Sequence, residues 1–260
     1  MATTDTTAIN VPYPDASSLH LKISVGACRL KVTPGAGEAW VSGTYQDPSG
    51  TLPPKIEQEG GTARITQEYR MAEMWGLLST MTTPKIDLAL GKAKPYVLTL
   101  EVGASESNFD LGGLPISRLL VKQGAGKVGF DFSAPNPQAM GLLDLDAGAV
   151  SIEMKNLVNA NFAEMSIDGG AAAYKFDFGG TLQRDAHVKI STGMSSVEIH
   201  VPASTAAKIT TESVLGGLNV GDGFTKREGA FWTRAALDGK TPVLTIHASI
   251  TLGGLNIRTT

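Results

Sequence analysis

The chain has 260 residues, of which 42% are hydrophobic and 18% charged, a balance that suits a packed globular core and argues against disorder. A formal net charge of −3 leaves no excess of positive charge to hold a phosphate backbone, which argues against a nucleic-acid partner. The single cysteine, Cys28, excludes an intramolecular disulfide framework and a cysteine-based metal cluster, and reads as a small buried strand residue.

The opening segment, residues 1–18, has neither a basic stretch nor an apolar run of the kind that begins a secretory signal, and is expected to be flexible. From residue 19 onward one pattern recurs: alternating apolar and polar residues, a glycine followed by a small residue, and then more alternation. The copies are HLKISVGACRLKV at 20–32, LTLEVGASESNFDL at 98–111, LLVKQGAGKVGFDF at 119–132, LLDLDAGAVSIEM at 142–154, EMSIDGGAAAYKFDF at 164–178 and HVKISTGMSSVEIHV at 187–201. Two shorter relatives, ESVLGGLNV at 212–220 and SITLGGLNI at 249–257, close the series. The anchoring glycines are Gly26, Gly103, Gly124, Gly148, Gly170, Gly193, Gly216 and Gly253, and from Gly103 to Gly216 they lie 21 to 24 residues apart.

Parity around each glycine predicts which side of the strand is dry. Leu98, Leu100 and Val102 before Gly103, Leu143, Leu145 and Ala147 before Gly148, and Val188 and Ile190 before Gly193 share one face. Beyond the glycines, Val128, Phe130 and Phe132, then Tyr174, Phe176 and Phe178, then Val197, Ile199 and Val201 do the same. Between them stand Thr99, Glu101, Asp144, Asp146, Asp177, Lys189, Glu198 and His200, as a half-buried strand requires. Glycine at the kink supplies either positive φ or room for a neighbouring backbone. A unit of about 22 residues cannot bury its own apolar face and must stack on its neighbours. The expected fold is therefore all-β: a single-domain, β-solenoid-like stack over 19–260 with glycine corners, an antiparallel meander or sandwich being the competing topology.

Three segments depart from the repeat. Residues 36–70 read as hairpin strands, with Gly60-Gly61 as a two-residue turn. Within 71–95, Met71, Met74, Trp75, Leu77, Leu78 and Met81 fall at helical spacing, predicting a helical insertion that caps the stack. The stripe Met71, Met74, Trp75, Leu78 and Met81 is also the candidate contact for a protein partner. Residues 222–242 read as a hairpin with exposed charge, in which Phe231 and Trp232 pack at an edge or, less economically, offer a platform for a sugar ring.

No pattern in the chain points to catalysis, a cofactor or a metal. His20, His187, His200 and His247 make no short-range ligand spacing, and the corner aspartates Asp110, Asp144, Asp146, Asp168, Asp177 and Asp222 lack the spacing of a calcium roll. GAGKVG at 124–129 interrupts a strand and fails the phosphate-loop spacing. A small-molecule ligand is not expected, nor is a membrane-spanning helix, since no stretch approaches about 20 apolar residues.

The succession LKISVGACRLKVTPGAGEAWVSGTY, YVLTLEVGASESNFDLGGLPISRLLVKQGAGKVGFDF, VLGGLNV and TLGGLNI resembles the bacterial toast-rack domain proteins, related to the LiaF-like cell-wall-stress family and to the adhesin-type β-repeat family. That resemblance implies a β-repeat fold, no catalytic residues and association with the cell envelope through a membrane segment or a sensor partner. The sequence as given carries no such segment and reads as cytoplasmic, with the envelope as the alternative. The functional expectation is a non-enzymatic binding or scaffolding protein acting through a protein partner or self-association. Alternatives are a carbohydrate-binding or carbohydrate-cleaving solenoid and a self-assembling surface repeat.

Overall fold

The computed structural model describes residues 6–47, 54–67, 83–212 and 215–260. Five long strands carry the repeat: β8 (Tyr96–Asp110), β9 (Ile116–Asp131), β10 (Met140–Lys155), β13 (Ala186–Val201) and β18 (Val243–Thr259). Each runs along one face of the molecule, bends at its glycine region and continues along a second face. β8, β9 and β10 pair in parallel through both halves. β10 then pairs with β11 (Phe162–Gly169) on the first face and β12 (Ala172–Asp177) on the second, and both of those pair with β13. The parallel stack expected from the repeat is thus present through the middle of the chain, and the antiparallel meander is not.

Side-chain parity follows the sequence. Leu98, Leu100, Leu143, Leu145, Ile190, Val197, Ile199, Phe176 and Phe178 are wholly buried, and the partner residues on the opposite parity face outward. Phe109 stacks on Phe130 with ring centroids 4.7 Å apart, a contact between successive coils that forms because in-register parallel strands bring equivalent side chains together. Thr99 departs from the expected wet row: His20 covers it, their polar atoms 2.8 Å apart.

At the first corner the glycines form a ladder. A β-carbon on Gly103 would press on Gly26, one on Gly124 on the Gly103 carbonyl, and one on Gly148 would run into the Gly124 carbonyl. None of these takes positive φ, so their role is close approach of backbones. Gly216 and Gly253 do not belong to this ladder. They pair with each other and with Ser195, two positions further along than Gly193, and there φ is 153° and 136°. At the opposite corner buried asparagines tie coils together: Asn136 Nδ2 donates to the carbonyls of Ile116 and Ala160, and Asn159 Nδ2 donates to that of Phe132.

The two ends do not follow chain order. β2 (His20–Val25) and β3 (Arg29–Pro34) lie next to β8, and the later strands β6 (Thr62–Gln67) and β7 (Lys85–Leu90) lie outside them. β18 likewise inserts between β13 and the pair β14 (Ala206–Glu212) and β15 (Gly216–Val220). Each terminal coil receives antiparallel strands. β5 (Pro54–Glu59) folds onto β6 through the Gly60-Gly61 turn, β4 (Val41–Gln46) covers β7, and β1 (Thr6–Val11) covers β4. At the other end β17 (Ala230–Thr233) pairs with β14 and carries β16 (Phe224–Arg227), the expected 222–242 hairpin, followed by a single helical turn, α1 (Arg234–Leu237).

Two expectations need correction. Residues 1–18 are not simply a flexible leader, because Thr6–Val11 is a strand whose Ile9 and Val11 are buried in the common core. The helical insertion foreseen over 71–95 does not extend over its described part. Lys85–Leu90 is a strand of the stack, with Ile86, Leu88 and Leu90 buried at period two, a pattern that the preceding Met/Trp spacing obscured. Met71, Met74, Trp75, Leu78 and Met81 lie outside the described residues.

Candidate interaction surface

A parallel coil stack has two surfaces on which chemistry can be built, its outward faces and its ends. The second face is hollowed over β3, β4, β7 and β8 into an open recess of about 740 Å³, lined by Arg29, Lys31, Lys85, Asp87, Glu106 and Asn108 among others. Two of its cations have acidic neighbours. Lys85 Nζ lies 2.7 Å from the Asp87 carboxylate, and Arg29 Nε lies 3.6 Å from that of Glu106. The aromatic side chains of this region, Phe109 and Phe130, point into the core, so the recess has no stacking platform for a sugar among the described residues. Trp232 is half-buried beneath Lys208, whose ammonium lies 5.0 Å from the ring centroid, and its indole N–H donates to the Arg227 carbonyl. These contacts make Trp232 part of the hairpin's own packing.

Of the corner aspartates, Asp146 and Asp168 are register neighbours on β10 and β11. Asp177 and Asp110 accept from the backbone N–H groups of Gly179 and Gly112, closing turns. Among the described residues no three of His, Cys, Asp and Glu come together. Cys28 is buried at the first corner, and burial pushes its thiol up to about 12.

The ends are more informative. Among the described residues four strands have only one neighbour: β5 and β16 on the first face, β1 and β15 on the second. The first-face edges are charged, with Lys55, Glu57 and Glu59 on β5 and Lys226 and Arg227 on β16. Charge on an edge blocks pairing with other chains. The second-face edges have no charged residue. β15 is the more open of the two. Leu218 pairs with Leu255 and so lies on the interior side, yet it is 42% exposed where Leu255 is 1% exposed. No described strand pairs with β15 beyond it, although Phe224 and Phe231 of the neighbouring hairpin pack against the core at this end.

Apolar surface at the corner leads to the same edge. Met194 pairs with Leu252, and the Gly253 N–H donates to the Leu215 carbonyl, so Met194, Leu252 and Leu215 follow one another toward the open end, at 63%, 47% and 67% exposure. Isolated exposed apolar residues are ordinary, whereas these three are contiguous and end beside a strand that has one neighbour among the described residues.

The family described as the N-terminal domain of toast_rack, DUF2154, matches residues 1–140. The chain belongs to this toast-rack family. Its similarity to solved structures is distant. It is 15% identical to a "putative cell adhesion protein" from Clostridium sporogenes ATCC 15579, over 99% of this chain and 100% of that one, with a TM-score of 0.47. It is 9% identical to a "putative adhesin" from Bacteroides fragilis NCTC 9343, over 100% and 98%, with a TM-score of 0.49. It is 12% identical to a "putative lipid binding protein" from Parabacteroides distasonis ATCC 8503, over 98% and 96%, with a TM-score of 0.32. No curated protein matches the toast-rack chain. No described helix is long and apolar enough to cross a membrane.

The sequence gives signals for this end that periodicity alone passes over. LGGLNV and LGGLNI have no charge between their glycines and their last apolar residue, and Met194 and Leu252 stand at corner positions where the middle copies have Ala125 and Ala149.

Proposed function

We propose that this toast-rack chain is a non-enzymatic binding module that takes up a strand of another protein at its open end, on β15. The observation that carries the reading is Leu218: a side chain on the interior side of the stack, left 42% exposed on a strand that has a single neighbour among the described residues and no charge. Strand addition there supplies backbone hydrogen bonds to β15 and covers Leu218 and Val220 in one step. The rigid stack behind it provides a preformed edge, so little ordering cost falls on the toast-rack side. The cell envelope, in sensing or adhesion, is the setting that the family resemblance suggests for such a contact, and the recess on the second face would serve as flanking surface.

The test is a displayed library of extended peptides, selected on the wild-type protein and counter-selected on Leu218→Lys. A lysine pointing inward from an edge strand opposes pairing while reaching solvent in the free protein. The reading expects an enriched class of apolar-alternating peptides that protect the amides of 216–220 from exchange and are lost on the variant. Peptides that bind both proteins equally, or that protect another segment, would refute it.

A further inference from the structure

The wet side of the open edge carries chemistry of its own. Along β15 and the residue that follows it, the outward positions are Gly217, Asn219 and Gly221. On the neighbouring β18 they are Gly254, Asn256 and Arg258. Two of the three edge positions have no side chain and the third is an amide. What an added strand meets on this side is therefore set largely by the rung behind, and that rung ends on Arg258.

The polar groups there are only partly used. Asn256 Oδ1 accepts from Arg258 Nε at 3.1 Å and lies 3.5 Å from Asn219 Nδ2. Arg258 is exposed, and it makes no ion pair among the described residues, with the nearby Asp222 included. Gly221 makes the guanidinium reachable from the edge. Its N–H donates to the Ile257 carbonyl, so the ladder runs to this point, and a β-carbon on it would lie 3.7 Å from Arg258 Cγ. A side chain at that position would stand between Arg258 and a strand added to β15.

We infer that the strand accepted at β15 has an acidic side chain next to the apolar residue that covers Val220, and that Arg258 reads it across Gly221. This rests on the strand-addition reading above and gives the chemistry of its occupant. The partner is an extended peptide with apolar residues on the interior side at the levels of Leu218 and Val220, and a carboxylate on the outward side at the level of Gly221. In parallel or antiparallel addition alike, the acid adjoins the residue on Val220.

In strand addition the backbone supplies affinity and alternate side chains supply selection. An exposed guanidinium offers paired N–H donors in a fork, the geometry that a carboxylate accepts. Neighbouring strands lie about 4.8 Å apart, which sets the added strand about 10 Å from β18. An arginine and a glutamate bridge that span when nothing stands between them, and aspartate is the poorer fit. The preference is local. The chain as a whole has a net charge of −3, so its general field favours a basic peptide.

The experiment sequences the peptides selected on the wild-type protein and measures their binding by fluorescence anisotropy. Glutamate should be enriched beside an apolar residue. In the tightest such peptide, replacing that glutamate with glutamine should weaken binding to the wild type by about tenfold and change binding to Arg258→Gln little, as a direct pair requires in a double-mutant cycle. Arg258→Glu should instead favour the peptide in which lysine replaces the glutamate. Matching urea midpoints show that the variants fold as the wild type does, and the peptide comparison on the wild type needs no variant. Peptides that protect 216–220 without an acidic preference overturn the inference, and so does an equal loss on the wild type and Arg258→Gln. Both outcomes leave strand addition at β15 standing. A selection that yields no peptide at β15 overturns both readings.

Discussion

Replacing corner glycines with alanine separates close approach from chain flexibility. A β-carbon on Gly148 would sit closer than 3.0 Å to the carbonyl oxygen of Gly124, a backbone atom in the strand next door that cannot swing aside. On Gly193 the nearest atom would be the Gly170 carbonyl oxygen at 3.6 Å, an ordinary contact, and neither glycine takes positive φ. Overpacking of this kind typically costs about 1–3 kcal/mol. Loss of unfolded-chain entropy on going from glycine to alanine returns about 0.4–1 kcal/mol in both cases. Gly148→Ala is therefore expected to destabilise by about 1–2 kcal/mol, and Gly193→Ala to be neutral or stabilising by up to about 1 kcal/mol. Urea unfolding followed by circular dichroism reads both as midpoint shifts at constant slope. Equal destabilisation by the two substitutions would refute the ladder, because it would mean that what matters is the glycine and not the distance to the coil below.

Phe130→Ala removes a buried ring stacked at 4.7 Å on Phe109 and should lower unfolding free energy by about 3–5 kcal/mol in the same assay. Cys28, buried and with its thiol pushed up to about 12, should resist a thiol reagent at mildly alkaline pH until urea unfolds the chain, and rapid labelling of the native protein would contradict its placement. His20 is held below its ordinary range first by burial and then by Arg64 and Lys22. The folded state thus takes up its proton at lower pH than the unfolded state. Its contribution to stability is present above the unfolded value of about 6.5 and is lost as pH falls toward the folded one. Stability measured from neutral to mildly acidic pH should decline less steeply in His20→Gln than in the wild type.

Much of the stack was legible because its two rules are local. Period-two alternation assigned the interior side of Leu98, Leu143, Val197 and Phe176, and the glycine spacing implied coils that repeat. What stayed hidden has physical reasons. Gly216 and Gly253 lie two positions beyond the corner ladder, and a shift of two leaves every side chain on its original face, so parity cannot detect it. The inverted order at the ends, with β3 inside β7 and β18 inside β14, depends on long-range pairing that no short segment of sequence expresses. Asn136 and Asn159 look like loop residues until neighbouring coils supply the carbonyls they bind. The strip from Met194 through Leu252 to Leu215 exists only because three distant segments stack in register.

Hydrogen exchange at β15 addresses the open end most directly. In dilute solution the amides of Gly216–Val220 that are not bonded to β18 should exchange quickly, while those of Val188–Ile190 and Val197–Ile199 in the middle of the stack stay protected. On addition of a selected peptide, protection should rise at 216–220. Full protection of 216–220 in the most dilute sample would mean that the chain covers its own last rung, and the open end would not exist.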